Sequence, residues 1–179
     1  MTEDEKQEIG QRVQESEDSM KVEEGSIILP TPDDNRLAKF EKRWRITLPD
    51  DYKAFLQKYN LAIPMEKSFD YLGHAYCVVR FCGLVKELNK AGDEGWYDIN
   101  VIDAQLDERF SVDEHSNETS LMPIAGLFGD DFVCMDFRNG SSNPTICIWY
   151  HEESGYFSPS TDTIANTFTE FLSMLYNGA

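Results

Sequence analysis

With 179 residues, 41% of them hydrophobic and 12% aromatic, the chain has apolar material for one core and is too aromatic for general disorder. Thirty-three acids against sixteen bases give a formal charge of −17, so the chain as a whole lacks the basic footprint that nucleic acid or an anionic membrane requires. A basic partner is favoured, although the same charge also keeps a protein soluble.

Residues 1–26 hold nine acids and three bases, and their few apolar residues make no continuous face. They read as an acidic, flexible tail, leaving residues 27–179 as the folded domain. The N-terminus carries no apolar signal region and no run reaches transmembrane length, so the expected location is cytoplasmic, with no membrane contact.

The basic part follows: residues 27–90 carry eleven bases against eight acids. Thr31 can cap a first helix, with Pro32 in its first position and Asp34 as a capping-box acid. Leu37, Phe40 and Trp44 share one face, while Lys39, Lys42, Arg43 and Arg45 are left to solvent. A second helix starts at Pro49, has Asp50 and Asp51 opposing its dipole, and stops near Asn60. Tyr52, Phe55, Leu56 and Tyr59 form its apolar face, and two helices so close in sequence should pack as a pair.

Residues 69–71 and 74–81 read as strands around Gly73. Both side-chain rows of the second are largely apolar, which predicts cover on both faces. Residues 83–89 suggest a helical turn with Leu84, Val85 and Leu88 inward. Residues 91–120 thread nine acids between aromatic and aliphatic side chains, with Arg109 as the sole base. This predicts an ordered excursion anchored by its aromatics.

Residues 121–125 open a strand-rich block, with Gly126 and Gly129 marking a turn. Residues 132–137 and 145–151 make a hairpin whose loop, residues 139–144, is a strong turn signal. Asp162 or Thr161 caps a last helix carrying Ile164, Phe168, Phe171, Leu172 and Leu175 on one face. Helices, then strands, then a helix predict a single α+β domain: a mostly antiparallel sheet with helices packed against it.

The search for chemistry returns little. Cys77, Cys82, Cys134 and Cys147 lie in apolar runs without a CxxC pair and read as buried free thiols. His74, His115 and His151 are isolated, so neither a metal nor another cofactor is expected. There is no nucleophile elbow, Walker loop or dinucleotide fingerprint, and adjacent acids on a strand point to opposite faces. The chain is therefore not expected to be an enzyme. Asp136, inside an apolar strand, needs a partner, and Arg138 on the same strand face can supply it.

Residues 48–60, LPDDYKAFLQKYN, resemble the opening signature of the SUKH superfamily, which includes fungal Smi/Knr cell-wall regulators and many bacterial immunity proteins. Residues 121–125, 132–138 and 148–152 fit its later pattern, and residues 164–172 resemble its closing helix. The resemblance covers residues 31–177 and implies the same α+β fold. It further implies a non-enzymatic immunity protein that neutralises a cognate toxin, or alternatively an intracellular regulatory or scaffold domain. The acidic C-terminal half suits a basic, nuclease-type toxin. The candidate contact residues are Asp93, Glu94, Trp96, Asp98, Asp103, Asp107, Glu108, Asp130 and Asp131, with Tyr97 and Phe110 as further aromatic anchors if exposed.

Overall fold

The structure, a computed structural model, describes Thr2, residues 20–112 and residues 121–178. Among these residues the chain forms α1 (Asp34–Trp44), α2 (Asp50–Tyr59), β1 (Ser68–Tyr71), β2 (His74–Phe81) and α3 (Ile99–Phe110). It continues with β3 (Leu121–Leu127), β4 (Phe132–Asp136), β5 (Thr145–Trp149), β6 (Thr161–Ala165) and α4 (Phe168–Ser173). The six strands form one sheet in chain order, each antiparallel to the next. Helices pack against it, giving the single α+β domain that the order of elements predicts.

Most of residues 1–26, and the acidic stretch 113–120, lie outside the described residues. Residues 20–26 are held on the domain by backbone bonds. Lys21 O accepts from Met65 N–H at 2.9 Å, and Glu23 N–H donates to Ile63 O at 2.8 Å. The Ser26 hydroxyl accepts from Ile63 N–H at 3.1 Å. Backbone pairing of this kind leaves no mark in composition, so a polar segment docks without looking as if it should.

The helix faces follow the spacing. Leu37, Phe40 and Trp44 are buried on α1, and Tyr52, Phe55 and Leu56 on α2. The α1 cap is Asp33 rather than Thr31: its side chain accepts from Arg36 N–H at 2.8 Å. Pro49 stands just outside α2 and not in its first position, and α2 begins without a side-chain cap. Asp51 instead reaches across to α4, accepting from Thr169 N–H at 3.1 Å and from its hydroxyl at 2.7 Å. The aromatic core spans these elements, with Phe55 within 5 Å (ring centroids) of both Phe81 and Phe168.

Leu72 and Gly73, both at positive φ, make the two-residue turn between β1 and β2. The expectation of a doubly covered β2 is not met. Ala75, Cys77 and Val79 are exposed, whereas Val78 and Phe81 are buried. Cover on both faces belongs to the central strand β3, whose seven residues are all buried. The one exposed cysteine, Cys77, follows from the same geometry; Cys82, Cys134 and Cys147 are buried free thiols as expected. Burial pushes the thiols of Cys82 and Cys134 up, and that of Cys147 up to about 12.

Of the residues expected inward in 83–89, Leu84 is buried and Val85 partly so, but Leu88 is exposed and the helical turn falls later, at Leu88–Lys90. What holds this segment is Asn60. Its side chain is buried and accepts from Leu84 N–H at 2.9 Å while donating to Leu84 O at 2.9 Å and Ile28 O at 3.0 Å. Asn60 therefore ends α2 and clamps two other segments with every side-chain bond made inside the protein.

At the C-terminus, residues 161–165 form an edge strand and not the start of a helix. The β-branched alternation Thr161, Thr163 suits a strand. Thr167 is the true cap of α4, accepting from Glu170 N–H at 3.1 Å, and Glu170 reaches back to Asn166 N–H at 3.3 Å. Thr167 and Glu170 thus have capping-box spacing, which neither Thr161 nor Asp162 offers.

Candidate protein-interaction face

Helix α3 is where the acidic excursion gains its order. Asp98 caps it, accepting from Asn100 N–H at 2.9 Å and Val101 N–H at 3.1 Å, and its other oxygen takes Val85 N–H at 2.8 Å. It is only 2% exposed. Asp98 is thus fully engaged inside the fold and unsuited to the contact role that sequence gave it. Phe110, at the far end of α3, is fully buried, with its ring edge-on to Trp149 at 4.8 Å. Tyr97 is half-buried and packs where a Cβ on Gly126 would lie 2.8 Å from its ring. Phe110 is core and Tyr97 packs against the sheet at Gly126, so neither is a free anchor, and Gly126 is a close-approach residue within β3, not a turn marker.

Arg109 organises the C-terminal end of α3. Its guanidinium lies over Trp149, 5.2 Å from the ring centroid. Nη2 donates to the carbonyls of His151 and, at 2.8 Å, Ser154, and Nη1 sits 3.1 Å from His151 Nδ1. In return Trp149 Nε1–H donates to Arg109 O at 3.1 Å, and Phe157 N–H to Glu108 O at 2.6 Å. The segment after β5 is therefore stapled to the end of α3. A third element joins through Asp131, which accepts from His151 N–H at 2.8 Å.

Three acidic elements converge in this way: Asp107 and Glu108 on α3, Asp130 and Asp131 in the turn after β3, and Glu152 and Glu153 after β5. All are exposed except Asp131, which is partly buried. Burial raises the Asp131 carboxyl above its ordinary range, against the lowering effect of the His151 amide; Glu152 and Glu153 add to the rise. Two of the elements also carry a protruding aromatic, Phe128 at 83% and Tyr156 at 74% exposure. Sequence reading named neither of these. The lone base among nine acids was the visible clue to Arg109.

The remaining candidates fall elsewhere. Asp93, Glu94 and the exposed Trp96 lie in and beside the 3-10 turn Asp93–Tyr97, before α3 and at the opposite end from Arg109. Asp103 is partly buried in mid-helix and has a partner within the fold. The second base of the C-terminal half is engaged internally as well. Arg138 donates to both oxygens of Asp136, at 2.9 and 2.8 Å, and to the Thr161 hydroxyl at 2.7 Å. The Asp136 bond raises the Arg138 pKa further, and the pair matches the structural role expected of it. Residues 91–179 hold sixteen acids, and both of their bases, Arg109 and Arg138, are bonded inward. Outward charge on the described part of this region is accordingly almost all negative.

Among the described residues no group of His, Cys, Asp and Glu is placed to hold a metal ion, and no helix is long and apolar enough to cross a membrane. A family model, SUKH_6, described as SMI1-KNR4 cell-wall, matches residues 34–172. A similar protein of Bacillus subtilis (strain 168), described as SPbeta prophage-derived uncharacterized protein YokK, is 32% identical over 136 residues. That match takes in 70% of this chain but 65% of the relative, so the chain spans just under two thirds of the protein it matches. No solved structure matches.

Proposed function

The chain belongs to the SMI1-KNR4 (SUKH) family, and from that premise we propose that it is a non-enzymatic immunity protein that neutralises a basic toxin domain. The carrying observation is the stapled acidic end: Asp107, Glu108, Asp130, Asp131, Glu152 and Glu153 on three elements tied by Arg109 and Asp131, with the base among them, Arg109, turned inward. Nuclease-type toxins present basic substrate grooves, and an acidic end of this kind competes for such a groove as the substrate phosphates do. Phe128 and Tyr156 supply apolar anchors within that acidic rim. Carriage of a relative on a prophage fits a cargo of toxin and antidote. The family description's reference to the cell wall supports a second reading, a cytoplasmic regulatory domain that recruits a protein partner.

The test is stopped-flow association with the product of the adjacent gene, taken as the candidate toxin, across a salt series. Asp107→Lys with Glu108→Lys should slow association by about tenfold or more at low salt. The difference should shrink as the Debye length falls to about 3 Å near 1 M salt. Glu24→Lys with Glu66→Lys makes the same charge change on exposed residues outside the acidic face and should do little. Equal slowing by both pairs would leave total charge, and not this face, as the cause. Absence of any toxin binding by the wild-type chain would favour the regulatory reading.

A further inference from the structure

Opposite in sign to the acidic end is a trough between α1 and the segment leading into α3. Its first part, a cleft of about 240 Å³, is lined by Arg36, Lys39 and Arg43 at i, i+3 and i+7 of α1, over a floor that includes Phe40 and Leu84. Among the described residues none of these three cations is ion-paired with an acid, and the Arg36 guanidinium makes only long bonds to the carbonyls of Pro30 and Leu84, at 3.4 and 3.5 Å. The one carboxylate in this cleft, Asp98, is bound to three backbone amides. Val85 continues the floor into a second cleft of about 170 Å³, which Leu29 overhangs at 76% exposure. There Lys86 and Lys90 are offset by Glu87 and Glu94, so the second cleft is close to neutral.

We propose that this trough binds an acidic peptide segment of a protein partner, its carboxylates on Arg36, Lys39 and Arg43 and an apolar side chain on Leu29 and Val85. The order of the two clefts selects the occupant. A peptide changes from charged to apolar within one residue, about 3.3 Å of extended chain. A nucleic acid carries a phosphate at every nucleotide and meets Glu87 and Glu94 as it leaves the cationic cleft. An anionic membrane meets the same two acids and the net charge of the whole chain. The protein would thus engage partners of opposite charge at two separate sites, and this second site does not depend on the toxin reading.

The experiment measures fluorescence anisotropy of a labelled octapeptide of two leucines and six glutamates, in Glu-Glu-Leu repeats, with the full-length chain at low salt. Saturable binding is expected. Lys39→Glu with Arg43→Glu, both exposed, should weaken it about tenfold or more, with an unchanged thermal midpoint showing the fold intact. Lys21→Glu with Lys58→Glu makes the same charge change outside the trough and should alter affinity less than about twofold. Val85→Asp should weaken binding while keeping every cation in place. Three outcomes would overturn the proposal: no saturable binding, equal losses in the trough and control pairs, or tighter binding of an octamer of single-stranded thymidylate than of the peptide.

Discussion

Helices α1 and α3 both mix acids with bases, yet they present opposite signs to solvent. On α1 the acids are engaged: Glu41 accepts from Leu48 N–H at 2.9 Å, and Asp34 from the Gln57 side chain at 2.9 Å. Its bases Arg36, Lys39 and Arg43 are left facing a cleft. At the end of α3 the base is engaged, with Arg109 donating to the carbonyls after β5, while Asp107 and Glu108 point outward. The sign of a face is thus set by which charges neighbouring segments engage, and less by the composition of the helix. It also explains how a chain of net −17 carries a cationic trough.

Both faces hang on one core, so the largest effect should come from breaking it. Phe55 touches Tyr59, Phe81 and Phe168, and Phe55→Ala should cost about 3–5 kcal/mol. Chemical denaturation followed by tryptophan fluorescence would measure it. A midpoint close to wild type would mean that the two faces do not share a foundation.

The contrast between the helices is tested more sharply by one substitution on each. Arg109→Met keeps apolar contact with Trp149 but strips the donors from the carbonyls of His151 and Ser154. It should cost about 2–3 kcal/mol, because charged donors to partly buried carbonyls are lost and their acceptors remain. Arg43→Met removes a base with no such partner and should stay within about 0.5 kcal/mol. Equal costs for the two would erase the distinction between an engaged and an unengaged base.

How far this contrast was legible in the sequence depends on which interactions leave a periodic trace. The apolar faces of α1 and α2 did, because Leu37, Phe40 and Trp44, and Tyr52, Phe55 and Leu56, recur at helical spacing and are all buried. The hairpin of β4 and β5 did, through the turn residues between them. Helix α3 was read only as order, although its inward positions Ile99, Ile102, Leu106 and Phe110 also recur at helical spacing. The end of the chain was misread because Ile164 fits the spacing of the last helix, yet it lies in an edge strand, and the cap at Thr167 begins the helix later. Asn60 and Arg109 act by long-range bonds to backbone carbonyls, which no local pattern records. For the same reason the acids near residue 94 and those near residue 107 looked like one patch. Helix α3 separates them.

The smallest expected effect concerns Asp131, where an acid of the negative face is partly drawn into the structure that holds it. Its carboxyl is raised above the ordinary value of 3.8, chiefly by burial. A raised carboxyl pKa means that the folded state binds the proton more tightly than the unfolded chain does. Stability should therefore be greater below the ordinary value and decline as pH rises through the folded one. Asp131→Asn keeps an oxygen to accept from His151 N–H and removes the titration. His151, Glu152 and Glu153 lie nearby and are present in both proteins, so the difference between variant and wild type isolates Asp131. The variant should melt with the wild type near about pH 4 and gain on it toward about pH 7, by roughly 1–2 °C because the group is partly exposed and screened. Differential scanning fluorimetry across that range would show it. A variant less stable than wild type at neutral pH would mean that the charge itself stabilises the junction, so that this acid, like Asp34 and Glu41 on α1, belongs to the engaged set.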